Sequence, residues 1–136
     1  MPKNRAVRVA EVPKDQKFNF SFQYYDMSSD KYCLSKWTSQ QIRKCLDRLK
    51  DVSNKTFNEL SASGNIYHFH QVVWERTTEK NGFPRCGVEL FDPFQLALIG
   101  VNGQLARVYG AYSQGTFYIV WFDLNHGIWP SALKHT

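Results

Sequence analysis

The stretch TFYIVWFDLNHGIWP, residues 116–130, ends an apolar run by placing Asp123, Asn125 and His126 where the chain should leave its sheet. Imidazole titrates near neutrality and can serve as acid or base. His126 is therefore either a catalytic group or a member of a turn whose backbone Asp123 or Asn125 caps. His68 and His70, in NIYHFHQVVW, would share one face if that segment is a strand. Metal sites use this spacing, but no third Cys, His, Asp or Glu stands at a convincing ligand spacing nearby. The alternative is a pair of partly buried imidazoles satisfied by backbone groups. Arg107 can form a structural ion pair with Asp123 or Glu89. There is no GxxxxGK[ST], GxGxxG, GxSxG or HExxH pattern, so neither a small-molecule cofactor nor a metal is expected.

These residues need elements to hold them. KFNFSFQYYD alternates Phe18, Phe20, Phe22 and Tyr24 against polar neighbours, the period of a half-buried strand. In WTSQQIRKCLDRLKDV, Thr38 with Gln41 forms a capping box and Trp37 with Ile42 a hydrophobic staple, predicting a helix start. Ile42, Cys45, Leu46, Leu49 and Val52 make its apolar face, leaving Arg43, Lys44, Arg48 and Lys50 toward solvent as a candidate RNA-binding surface. A second capping box, Thr56 with Glu59, predicts a short helix stopped near Gly64. NIYHFHQVVW fits a strand or a resumed helix equally. Residues 75–93 carry Gly, Pro and mixed charge without a period and read as a loop long enough to be functional.

FQLALIGV, QLARVYGAYS and TFYIVWFDL are separated by Asn-Gly and Gln-Gly, which predicts a three-stranded antiparallel meander. The last strand should be central and covered on both sides, with Phe117, Ile119 and Trp121 on one face and Tyr118 and Val120 on the other. The expected class is α+β, an antiparallel sheet with two helices from the N-terminal half packed on it. With 136 residues, 43% of them hydrophobic, the chain suits one domain, residues 1–136, with residues 1–16 as a flexible basic arm.

Residues 1–60 carry 12 Lys or Arg against 7 Asp or Glu, and residues 61–136 carry 5 of each, so the net +5 is N-terminal. Such a surface can neutralise nucleic-acid phosphates or can be an ordinary solvated face. The aromatics Trp74, Tyr109, Tyr112, Tyr118, Trp121 and Trp129 could stack on bases, though most should be core. Cys33, Cys45 and Cys86, odd in number and without a CxxC pair, read as reduced packing residues. No run is apolar enough to cross a membrane and the first residues lack a secretory core, so a cytoplasmic location is expected.

The order of elements, together with Arg107 in ARVYG and His126 beyond the last strand in WFDLNH, resembles the RelE/ParE toxin superfamily of bacterial toxin–antitoxin proteins. The resemblance spans about residues 17–130; its usual members are shorter and lack the basic arm and the loop at 75–93. It implies the RelE-like order β-α-α-β-β-β. It also implies a metal-independent, ribosome-dependent endoribonuclease that cuts mRNA on the ribosome by 2′-OH attack and is neutralised by a cognate protein antitoxin. The catalytic set implied is His126 as acid or base and Arg107 as phosphate clamp, with His68 and His70 available. The alternative is a non-catalytic module of the same fold that binds a protein partner or nucleic acid. Small toxins of this type leave a polar sheet face for RNA; the apolar faces here suggest cover by a partner or by extra chain.

Overall fold

The computed structural model describes residues 16–64 and 66–130. The arm expected over residues 1–16 thus lies, save Gln16, outside the described residues. The elements are β1 (Asn19–Ser21), α1 (Ser39–Val52), α2 (Phe57–Ala62), β2 (His70–Gln71), β3 (Asp92–Ala97), β4 (Arg107–Ser113) and β5 (Thr116–Asp123). They form one five-stranded sheet in the order β1-β5-β4-β3-β2. The α+β class holds.

Local signals set the helices. Thr38 accepts from the Gln41 amide at 3.1 Å while Gln41 Oε1 accepts from the Thr38 amide at 2.9 Å; Thr56 and Glu59 repeat the exchange at 3.1 and 2.9 Å. Each box satisfies two amide donors that a helix start would leave orphaned, worth about 1 kcal/mol. The β4–β5 turn obeys an equally local rule. Gln114 and Gly115, with φ of 50° and 88°, are the left-handed pair that a two-residue hairpin requires, and Ser113 pairs with Thr116 across it. The tight turn expected at Asn102-Gly103 is corrected: β3 ends at Ala97 and β4 begins at Arg107, so this pair, with φ of 51° and 67°, lies within the longer connection 98–106.

The sheet departs from the expected pattern in several places. It is mixed: β2-β3-β4-β5 run antiparallel, but β1 lies parallel to β5, with Asn19 opposite Thr116 and Ser21 opposite Tyr118. Its direction is set by docking at the β4–β5 turn, where the Asn19 amide donates to Gly115 O at 3.1 Å. The Phe18–Tyr24 alternation gives a strand of only three residues, because Ser21 Oγ accepts from Gln23 N and Phe22 O accepts from Tyr25 N, turning the chain away. Phe22 is consequently exposed. The segment beyond it still covers the β5 edge: Asp26 N donates to Val120 O and Phe122 N to Tyr32 O. NIYHFHQVVW yields a turn and then the two-residue edge strand β2.

In β5, Tyr109 faces Trp121 and Gly110 faces Ile119, so Val120 is a bulge residue. A bulge inserts one residue and re-aims the side chains beyond it. Phe117, Ile119 and Phe122 therefore face α1 and α2, whereas Val120 and Trp121 join the opposite layer. The expectation that Trp121 shares the face of Phe117 and Ile119 is corrected by this insertion.

The helical face of the sheet is sealed by Cys45, Leu49, Val52 and Leu60 against Leu96, Val108 and Phe117. Leu46, expected on this stripe, is 62% exposed; it lies about one 100° step beyond Cys45, outside the narrow line of Cys45, Leu49 and Val52. Among the described residues, no α-helix covers the other face. Tyr32, Val72, Phe83, Val88, Ile128 and Trp129 cover Tyr109, Val120 and Trp121 instead. Residues 75–93, expected as a long loop, supply Phe83 and Val88 to this layer, with 3₁₀ turns at Trp74–Arg76 and Val88–Leu90. None of the described helices is long and apolar enough to cross a membrane.

Candidate functional site

Arg107 opens β4 and stands directly opposite Asp123, the last residue of β5. The residue is 5% exposed, and Nη1 donates to Gln104 O at 2.5 Å and Ala106 O at 3.1 Å. Nε is buried without a hydrogen-bond partner. Burial pulls the Arg107 pKa down from its ordinary value, while Tyr109 and Asp123 oppose that shift. Asp123 is 3% exposed, and its carboxylate accepts from Gly127 N at 3.0 Å and Ile128 N at 2.8 Å. Desolvation raises its pKa, and the backbone donors and Arg107 only partly offset this. Asp123 is therefore the cap of the turn that carries His126.

His126 has φ of 59° and is 8% exposed. Its backbone takes the left-handed conformation, uncommon for a residue with a side chain, and both ring nitrogens are buried. Asn125 is exposed and its Oδ1 accepts from Asn102 Nδ2 at 3.1 Å, tying this turn to the β3–β4 loop. Arg107, Asp123 and His126 are thus gathered at one end of the sheet.

His68 and His70 stand elsewhere. Their rings are 5.9 Å apart, His68 has φ of 48°, and His70 lies on the exposed edge strand opposite Gln95. Across the sheet, Gln95 faces Tyr109 and Tyr109 faces Trp121, so His70 is three strand spacings, about 14 Å, from β5. The four expected catalytic residues do not converge. Among the described residues, no group of three or more His, Cys, Asp and Glu could hold a metal ion.

The polar residues tied to Tyr109 and to the Asp123 turn have no motif in the sequence. Tyr109 Oη donates to Gln95 Oε1 at 3.0 Å. Tyr32 Oη donates to Glu79, which also lies 3.7 Å from Lys31 Nζ. Burial raises both tyrosine pKa values, reinforced by Glu79 at Tyr32 and by Asp123 at Tyr109. Both hydroxyls stay protonated at neutral pH and act as donors. Thr78 is tied to the Asp123 turn, its amide donating to Ile128 O at 2.8 Å and its hydroxyl to Gly127 O at 2.9 Å. This cluster is assembled from residues as far apart as Tyr32 and Asp123, and only the turn signal around Asp123 could have pointed to it.

The outer face of α1 is an open cationic surface. Arg43, Lys44 and Lys50 are exposed and make no ion pair there. With Gln40, Leu46 and Asp47 they line a shallow depression of about 540 Å³. Arg48, expected on the same face, is engaged elsewhere. Its guanidinium lies 4.2 Å from the Tyr67 ring centroid and donates to Ile66 O at 3.2 Å and Asp51 at 3.4 Å, while Tyr67 Oη donates to Asp51 at 2.5 Å. Of the six aromatics considered for base stacking, Tyr109, Trp121 and Trp129 are buried, and Trp74, Tyr112 and Tyr118 are half-buried. No known protein family, curated protein or solved structure matches the chain.

Proposed function

We propose that this chain is a non-catalytic interaction module that binds nucleic acid through the outer face of α1. One observation carries the reading: Arg43, Lys44 and Lys50 stand exposed around a shallow depression without ion-pair partners among the described residues, in a chain of net charge +5. Such cations displace condensed counterions from a phosphate backbone, which makes affinity fall with salt. Leu46, exposed in the same lining, adds an apolar contact for sugar or base edges. The test is fluorescence anisotropy of a labelled single-stranded RNA between 50 and 200 mM salt. Changing Arg43, Lys44 and Lys50 together to Gln should flatten the plot of log affinity against log salt by about 2, from roughly 0.7 per phosphate contact on a single strand. An unchanged slope defeats the reading.

The toxin-type endoribonuclease acting on mRNA at the ribosome is the second reading, favoured by the gathering of Arg107, Asp123 and His126 at one end of the sheet. It requires a local opening, because Arg107 and His126 are both buried. A protein antitoxin would then compete with the chain's own segments for that face. Primer extension after induction separates the two readings. In-frame, translation-dependent cuts that vanish in His126→Ala support the nuclease, and intact mRNA removes it.

A further inference from the structure

On the sheet face away from α1, a cleft of about 190 Å³ opens between the 3₁₀ turn at Trp74 and the start of β3. Its volume lies below the range of cavities that hold drug-sized ligands and suits a single ring system. Trp74, Phe91 and Pro93 form apolar walls, with Asn81, Arg85 and Glu89 around them. Gly82 shapes the wall: at φ 77° its backbone comes so near the indole that a Cβ would stand 3.2 Å from Trp74 Nε1. Trp74 meets Phe83 and Trp121 only edge-on, with interplanar angles of 77° and 81°. Neither contact is a parallel stack.

The polar groups around the cleft keep spare bonding capacity. Asn81 and Arg85 are exposed and make no hydrogen bond or ion pair among the described residues. Glu89 Oε1 accepts from Gly87 N at 2.7 Å, which orients the carboxylate. That bond, with Arg85 nearby, holds its pKa below the ordinary value. An ionised carboxylate has about four acceptor positions and so keeps capacity for a ligand N–H.

We propose that this cleft receives one unstacked guanine base, with Trp74 as stacking wall, Asn81 and Glu89 on the base edge and Arg85 on the attached phosphate. A base offers a π-face to the indole irrespective of sequence. Guanine adds adjacent N–H donors on its Watson–Crick edge, which match an acceptor-only carboxylate, whereas the corresponding edge of adenine carries a ring acceptor. The Asn81 amide supplies one donor group and one acceptor, and a guanidinium fits phosphate oxygens. The base comes either from a free nucleotide or from a single strand. The cleft and the α1 face lie on opposite sides of the sheet, so the two sites fail independently.

The test is isothermal titration calorimetry of the full chain with GMP, AMP and the pentaribonucleotide UUGUU. Wild type, Asn81→Ala, Arg85→Ala and the Gln triple variant of α1 are compared. Asn81 and Arg85 are exposed, so their truncation leaves the fold intact. GMP binding that weakens about tenfold or more in Asn81→Ala, survives in the α1 variant and exceeds AMP binding assigns the site to a free nucleotide. The same Asn81 dependence seen only with UUGUU assigns it to an unstacked base in a strand. No binding of either probe, binding indifferent to both cleft variants, or equal binding of AMP overturns the proposal.

Discussion

Replacing Gly110 by Ala tests the bulge that sorts β5 between the two layers. Gly110 faces Ile119, and a Cβ there would stand 2.3 Å from Tyr118 O, 2.7 Å from Phe117 Cε2 and 2.9 Å from Phe117 Cζ. Tyr118 O belongs to the backbone of a strand paired on both sides, and Phe117 is fully buried. Neither can swing away, so the sheet itself must shift. Overpacking a core costs about 1–3 kcal/mol, and a clash with strand backbone belongs at the upper end, about 3 kcal/mol. For a chain of this length that corresponds to a fall in Tm of about 12 °C. Guanidinium and thermal unfolding measure the loss, and the near-UV circular dichroism of Trp121, which packs beyond the bulge, should weaken with it. Gly103→Ala is the control: φ is 67° but nothing lies within 4 Å of the added Cβ, so only backbone strain of about 1 kcal/mol is expected. A Gly110→Ala protein within 1 kcal/mol of wild type, or no less stable than Gly103→Ala, refutes the packing account.

Asp26 links its covering segment to β5 through Trp121 Nε1 at 2.8 Å. Although partial desolvation opposes ionisation, the bonds from Trp121 and Ser28 hold its pKa below the ordinary value. A folded-state pKa below the unfolded one gives stability that is present above the unfolded value, near 3.9, and is lost as pH falls through the folded value. Asp123, with a raised pKa, has the opposite sign: its contribution declines as pH rises above the unfolded value. Urea midpoints at pH 3, 5 and 7 should therefore fall less steeply toward acid in Asp26→Asn than in wild type; equal slopes would show that the Asp26 contact is energetically silent. For the thiols, burial pushes Cys45 up to about 12, while a hydrogen bond with Ser35 Oγ holds Cys33 below its usual value, and Cys86 is exposed. A thiol reagent at pH 8 should titrate two cysteines in the native protein and the third only in denaturant. Three fast equivalents would contradict the burial of Cys45.

The sequence by itself determined what neighbouring residues settle among themselves. Thr38 and Thr56 cap α1 and α2 because each needs only a Gln or Glu three positions on. Gln114-Gly115 turns β4 into β5 because its left-handed backbone is a property of the dipeptide. The apolar run from Thr116 to Asp123 announced a strand covered on both faces, and it is one. The tertiary structure alone decided the rest. The direction of β1 comes from its docking beside Gly115 nearly a hundred residues away, and the two-residue β2 exists only because β3 offers it an edge. The insertion of Val120 cannot be read from alternating hydrophobicity when both faces are apolar, yet it carries Trp121 to the other layer. The same holds for the candidate site. Arg107, Asp123 and His126 were visible as residue types, but their burial, and the long-range bond that ties Thr78 to the Gly127 carbonyl of the same turn, are set by packing between distant segments. Caps and turns arise from a few local hydrogen bonds, whereas strand direction, register and accessibility depend on burial summed over segments distant in the chain.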